Sequence, residues 1–245
     1  MCKKIAIIPA RYQSSRFPGK PLALICGKPM IQWVYERTVN VSCLDEVYVA
    51  TDDDRIKKCV EDFGGKCLMT SLNHESGTDR LAECVQILEL QDTDIVLNIQ
   101  GDEPLIEEQM IMDLLSTMNQ NEDMGTLKEL IISQDDVENT NIVKVVTDLQ
   151  DNALYFSRYP IPYNRRNVSD IKYYRHVGVY AYRVSFLKKF AKMPKSEYET
   201  IECLEQLRAL ENGYKIKVKI TNSSSMGVDV PEQIEQMEQK ILEEG

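Results

Sequence analysis

Apolar and polar positions along this chain follow two rhythms. In the first half, short apolar runs (IAII at 5–8, VYVAT at 47–51, KCLMT at 66–70 and DIVLNIQ at 94–100) are separated by amphipathic stretches near 30–40, 54–63 and 79–90. Short apolar runs of this kind suit strands buried on both faces, and the stretches between them repeat at helical spacing. Strand and helix in alternation predict an α/β fold, a Rossmann-like, mostly parallel sheet flanked by helices. Ligands in such sheets sit outside the carboxyl ends of the strands, so the loops after IAII and after DIVLNIQ fall on one functional edge.

The second half is more mixed. VKVVTD (143–148), LYFSR (154–158) and HVGVYAYR (176–183) read as strands, followed by helices near 198–212 and 231–243. In the first of these helices Ile201, Leu204, Leu207 and Leu210 make one apolar stripe that faces a core. Glu205 and Gln206 then lie on its flanks, either solvated or reaching a polyhydroxylated ligand. Tyr155, Tyr159, Tyr163, Tyr173, Tyr174, Tyr180 and Tyr182 gather around Pro160 and Pro162. Packed strand aromatics and an irregular segment that contacts a ligand or a second subunit both account for such a cluster. With no repeat and no low-complexity linker, residues 1–245 read as one domain carrying a smaller mixed-sheet insertion.

Composition narrows the function. The 245 residues carry a formal net charge of -10, which argues against general nucleic-acid binding, since that needs a cationic face. Seven scattered cysteines without a C-x-x-C pair suit free thiols in a reducing cytoplasm rather than a disulfide framework or a zinc site. No apolar segment reaches membrane-spanning length, and residues 1–4 lead straight into a strand, so neither membrane insertion nor a signal peptide is expected.

Against this acidic background the loop in IIPARYQSSRFPGKPL (7–22) stands out, with Arg11, Arg16, Gly19 and Lys20 following a strand. A strand that empties into a cationic, glycine-bearing loop can present a triphosphate to backbone amides and basic side chains. Neither G-x-x-x-x-G-K-[ST] nor G-x-G-x-x-G is present, which disfavours P-loop NTPases and dinucleotide dehydrogenases. A surface loop with solvated basic residues is the competing reading. QGDEP (100–104) places Asp102 in a turn after a buried strand, where a carboxylate can hold a divalent cation against phosphate oxygens. Asp229, in MGVDVPEQ, either supplies a second metal carboxylate or caps the last helix next to Pro231. His74 opens HESGTDR, an N-terminal capping loop with Arg80 in the first turn of a helix, able also to read a base or a phosphate. With only two histidines, in separate segments, a multi-histidine metal centre is excluded, and His176 reads by default as a structural residue.

Taken together, IIPARYQSSRFPGKPL, HESGTDR, QGDEP, RHVGVYAYR, LEQLR and GVDVPEQ occur in the order found in the 3-deoxy-manno-octulosonate (KDO) cytidylyltransferases, which the chain resembles from residue 5 to about 235. The resemblance implies a GT-A-like nucleotidyltransferase that joins CTP to KDO, releases pyrophosphate and forms the activated sugar used for lipopolysaccharide or capsule. It implies nucleotide contacts from Ala10, Arg11, Arg16, Lys20, Gly77 and Arg80, with Lys20, Arg16 and Asp102 catalytic. Sugar contacts fall to Gln100, His176, Tyr180, Glu205 and Gln206, with Arg158 assisting. Asp102 and Asp229 would hold Mg2+, and a homodimer is implied.

The chain departs from the family pattern at GVDVPEQ, where Val230 and Gln233 stand in place of a threonine and an acidic residue, and at Arg166. These departures bear on the sugar: an 8-amino analogue or a sialic-acid-like nonulosonate is the enzymatic alternative. A non-catalytic nucleotide-binding protein is the alternative of another class, disfavoured by the intact Arg11, Arg16, Lys20, Asp102 and Asp229.

Overall fold

A computed structural model describes residues 2–13, 16–74, 76–119, 121–223 and 226–244. Ser14 and Ser15 of the first motif and Glu75 of HESGTDR lie outside the described residues. The chain divides into two compact units, residues 1–112 with 223–245, and residues 113–222.

The first unit opens with β1 (Lys4–Ala10), whose run of buried residues from Ile5 to Ile8 explains why the sequence shows no polar alternation there. A single 3-10 turn (Lys20–Leu22) and a two-stranded hairpin of β2 (Leu24–Ile25) and β3 (Lys28–Pro29) follow. Cys26 and Gly27, both at positive φ, form its two-residue turn, the geometry that matches strand twist. The chain continues through α1 (Met30–Val39), β4 (Glu46–Thr51), α2 (Asp54–Asp62), β5 (Cys67–Met69), α3 (Gly77–Ile87) and β6 (Ile95–Asn98). The order β6-β1-β4-β5 is parallel throughout, as the alternation of strand and helix predicts. Local chemistry starts the helices. Asp53 accepts the Arg55 N–H at 2.9 Å ahead of α2, and Ser76 and Asp79 form a reciprocal capping box on α3.

The division between the units falls inside α4 (Glu108–Ser116). The second unit is built on β7 (Met124–Ile131), then α5 (Gln134–Glu138), a hairpin of β8 (Lys144–Thr147) and β9 (Ala153–Ser157), and β10 (Tyr173–Arg183). α6 (Val184–Phe190), α7 (Glu197–Glu202), α8 (Leu207–Glu211) and β11 (Ile216–Ile220) complete it. Here the pairing is mixed: β11 runs parallel to β7, whereas β10 is antiparallel to both β7 and β8. The chain then returns to the first unit as α9 (Gln233–Glu244).

The helix expected over 198–212 is two short helices, because Cys203 turns left-handed at φ 53 between α7 and α8. The apolar stripe is broken with it. Leu204 and Leu207 are buried, but Ile201 is 68% exposed. The tyrosine cluster also splits. Tyr180 and Tyr182 stack with a ring separation of 5.8 Å and Tyr182 lies against Phe186 and Phe190, while Tyr159 and Tyr163 are exposed.

Candidate active site

At the carboxyl edge of the first unit, three loops are pinned by one apolar cluster. Leu105 lies just past Asp102, Val228 just before Asp229, and Phe17 just after Arg16. All three pack with Ile25, Met30 and Met237. A neighbour packed into this cluster on each loop, buried at Leu105 and Val228 and half-buried at Phe17, fixes the polar residue beside it without using that residue's own side chain. The backbone ties two of the loops directly, since the Val228 N–H donates to the Asp102 carbonyl at 2.9 Å. Glycines permit the close approaches. Gly19 sits at φ 73, with a hypothetical Cβ only 3.1 Å from the Tyr12 ring, and a Cβ on Gly101 would lie 2.9 Å from the Pro9 carbonyl oxygen.

The side chains so placed form an alternating charge cluster. Lys20 Nζ lies 2.6 Å from Asp102 Oδ2 and 3.6 Å from Asp229 Oδ1, and Arg16 Nη2 lies 3.1 Å from the same Asp229 oxygen. Two cations and two carboxylates from three distant segments thus converge, as the sheet-edge argument requires. They border a cavity of about 360 Å3 lined by Ala10, Arg11, Arg16, Lys20, Gln100 and Asp102, among others.

Asp229 does not cap α9. Instead Gln233, the first residue of α9, reaches back to the loop, its Oε1 accepting the Asp229 N–H at 2.6 Å and the Val230 N–H at 3.2 Å. The Asp229 carboxylate points instead to the cations. This replaces the capping reading of Asp229, and it assigns a purpose to one of the departures from the family pattern.

The remaining nucleotide candidates surround the start of α3. Arg11 donates from Nη2 to the Ser76 carbonyl at 2.8 Å, and Gly77 opens the helix next to Pro9. Burial and the neighbouring Arg80 push the Arg11 guanidinium below its ordinary pKa, with Asp52 and Asp79 opposing. Arg80 is completely buried, bonded through Nη2 to Asp52 Oδ2 at 2.5 Å and through Nη1 to the Thr70 hydroxyl. Its buried Nε has no hydrogen-bond partner among the described residues, which leaves one donor for a ligand acceptor. Asp52 and Thr70 were not singled out from the sequence, although Asp52 lies one residue beyond β4 at the same sheet edge. Asn98, whose buried Oδ1 likewise has no partner among the described residues, sits at the end of β6.

The sugar candidates all belong to the second unit apart from Gln100. On β10 the register slips between Val177 and Tyr180, and the Thr126 hydroxyl, 2.7 Å from the Val179 carbonyl, fills the resulting bulge. The same hydroxyl lies 3.0 Å from His176 Nε2, while Phe156 and Tyr180 flank the imidazole at ring distances of 5.0 and 5.4 Å. Enclosed this way, the imidazole is pushed down to about 3 by burial, so it is neutral at physiological pH and suits a hydroxyl better than a carboxylate. Burial raises the Tyr180 phenol, with the Glu205 charge adding to the shift.

The break at Cys203 puts Glu205 and Gln206 on the turn between α7 and α8 rather than on a helix flank. Contrary to the solvated reading, Gln206 is only 4% exposed, and its Nε2 has no partner among the described residues. Arg158 is committed to the backbone, with Nε donating to the Glu202 carbonyl at 2.8 Å and Nη1 to the Thr140 carbonyl at 3.1 Å. It braces the end of α7.

Comparison with known proteins agrees with this geometry. Residues 5–219 match the family described as Cytidylyltransferase. The 3-deoxy-manno-octulosonate cytidylyltransferase of Thermodesulfovibrio yellowstonii is 54% identical over 242 residues, covering 94% of this chain and 95% of its own. The 8-amino-3,8-dideoxy-manno-octulosonate cytidylyltransferase of Shewanella pealeana is 52% identical over 238 residues, covering 96% of this chain and 97% of its own. A solved structure of CMP:2-keto-3-deoxy-manno-octonic acid synthetase complexed with CTP matches with a TM-score of 0.93 at 44% identity, covering 99% of this chain and 100% of that one. At this identity and coverage the chain belongs to the cytidylyltransferase family, with the 3-deoxy-manno-octulosonate cytidylyltransferases among its relatives.

Proposed function

We propose that this protein transfers CMP from CTP to 3-deoxy-manno-octulosonate, releasing pyrophosphate and forming CMP-KDO for lipopolysaccharide or capsule synthesis. The observation that carries this reading is the cluster of Lys20, Arg16, Asp102 and Asp229, which combines phosphate-binding cations with a pair of oxygen donors. Lys20 and Arg16 draw charge onto the leaving pyrophosphate as the anomeric hydroxyl of the acceptor attacks the α-phosphorus in line. The new P–O bond forms, the bond to the bridging oxygen of pyrophosphate breaks, and the hydroxyl proton passes to solvent water. Arg11, the backbone at Ala10 and Gly77, and the open Nε of Arg80 hold the nucleotide. Gln100, His176, Tyr180, Glu205 and Gln206 serve the sugar, and Arg158 supports the turn that carries two of them.

The donor set fits Mg2+. A small hard cation takes one or two carboxylates and completes its shell with phosphate and water, and the Lys20 ammonium already sits where Asp102 and Asp229 converge. Held by those two carboxylates, Mg2+ would supply charge neutralisation at the phosphate oxygens. Free thiols at all seven cysteines support a reducing, cytoplasmic setting. Among the described residues no helix is long and apolar enough to cross a membrane. The exposed Tyr159 and Tyr163 are candidates for a homodimer interface.

The Shewanella pealeana relative supports a second acceptor, the 8-amino-3,8-dideoxy sugar. Mass spectrometry of the products formed from CTP and Mg2+ with each acceptor separates the two. CMP-KDO as the dominant product is the expected result. Turnover of the amino sugar alone overturns the substrate and keeps the reaction.

A further inference from the structure

The α9 end of the site contains a side chain whose contacts serve Asp229. Gln233 Oε1 accepts hydrogen bonds from two consecutive amides, those of Asp229 at 2.6 Å and Val230 at 3.2 Å. Both amides precede the helix, and both belong to the loop that aims the Asp229 carboxylate at Arg16 and Lys20. On the other side the loop is anchored by Val228, buried in the apolar cluster and bonded to the Asp102 carbonyl. Asp229 therefore hangs between two fixed points. One is apolar and backbone-made, and the other is a single side-chain oxygen.

A carboxylate that takes part in metal binding loses affinity when its backbone is free to rotate, because the ordering entropy is then lost at binding rather than on folding. We propose that Gln233 is a positioning residue for the metal-binding carboxylate of Asp229. This inference rests on the functional reading above, in which Asp229 and Asp102 hold Mg2+. What Gln233 contributes is acceptance of two N–H groups, not charge. A glutamate at the same place preserves the contact, whereas alanine or methionine removes it. Methionine also keeps the length of the side chain, which separates loss of the acceptor from loss of packing against α9.

The test compares wild-type protein with Gln233→Ala, Gln233→Met, Gln233→Glu and Asp229→Asn. Two quantities are read for each: the Mg2+ concentration at half-maximal pyrophosphate release, and the affinity for Mn2+ with CTP present and no sugar acceptor, measured from the free-ion signal in electron paramagnetic resonance. Loss of the acceptor shared by these two amides, taken as comparable to a lost helix-cap side chain, corresponds to roughly a fivefold weakening of metal binding in both alanine and methionine variants. The glutamate variant is expected within about twofold of wild type, and thermal unfolding confirms that each variant is folded.

Unchanged metal affinity in the alanine and methionine variants, with Asp229→Asn impaired, overturns the role of Gln233 and leaves the reading of Asp229 standing. Unchanged metal affinity in Asp229→Asn itself overturns the reading on which the inference rests. Failure of glutamate to restore affinity, with alanine and methionine both weakened, contradicts the two-amide contact as the cause.

Discussion

Asp102→Asn offers a sharp separation of chemistry from folding, because the two roles of Asp102 lie on different atoms. Its fold role is carried by the backbone carbonyl, which accepts the Val228 N–H at 2.9 Å and is untouched by the substitution. The side chain contributes one ion pair, to Lys20 at 2.6 Å, and Lys20 keeps Asp229 at 3.6 Å when that pair is weakened. Asp102 is about a third exposed, so the lost pair is worth no more than about 1 kcal/mol after solvent screening. For a protein of this size that corresponds to a fall in Tm of about 2–4 °C.

Turnover is affected on another scale. The carboxylate acts through the Mg2+ it would hold, and losing a preorganised stabiliser of developing phosphate charge costs about 10²–10³ in kcat, or roughly 3–4 kcal/mol of transition-state stabilisation. The assay is coupled pyrophosphate release from CTP and Mg2+ with the sugar acceptor, run beside thermal unfolding of the same preparation. The expected result is a loss of at least about a hundredfold with nearly unchanged Tm. Activity within threefold of wild type refutes the role assigned to the carboxylate. A collapse of Tm together with activity refutes the claim that its side chain is not needed for folding.

Two further predictions concern the second unit. Arg208 and Glu199 form a buried two-pronged pair, with Nε to Oε2 at 2.7 Å and Nη2 to Oε1 at 2.5 Å. Arg208→Met therefore destabilises the fold by about 3–5 kcal/mol in urea unfolding, and Arg208→Met combined with Glu199→Met costs less than that single change. The His176 imidazole is depressed to about 3 from the ordinary 6.5, so its contribution to stability is complete above pH 6.5 and is lost as pH falls toward 3. His176→Gln should flatten the stability profile across that window. An identical slope in the variant would place the acid sensitivity elsewhere.

The central strands of the first unit were legible in the sequence because burial on both faces leaves an unbroken apolar run, as in Ile5 to Ile8. Their bounds moved by only a residue or two. β7 was hidden because Lys128 and Glu129 interrupt MGTLKELI. Lys128 is nonetheless buried, donating to the Thr147 hydroxyl at 2.6 Å beneath the Tyr174 ring, and those partners come only from the tertiary fold. β11 is readable only as the short alternation IKVKI. The break after α7 depends on a left-handed cysteine, a residue type that gives no local warning.

At the site, the sheet-edge rule and the motifs brought Arg16, Lys20, Asp102 and Asp229 forward, and the geometry gathers them. Spacing alone does not reveal that Arg80 needs Asp52 and Thr70, since those residues come from two other loops. Nor does it reveal that the Gln233 side chain reaches back from α9 to hold the Asp229 amide. Spacing leaves Gln206 open between solvent and a ligand, and its burial comes from the turn that replaces a continuous helix at Cys203.

The central claim is that these residues move a cytidylyl group onto an acidic sugar, and the initial rate of pyrophosphate release tests it most directly. CTP and Mg2+ are supplied with and without KDO, with UTP replacing CTP in a parallel reaction. The account predicts release that requires both CTP and KDO and stops at one pyrophosphate per sugar consumed. Release from CTP without the sugar, or none with it under conditions where the protein is folded and binds CTP, contradicts the account.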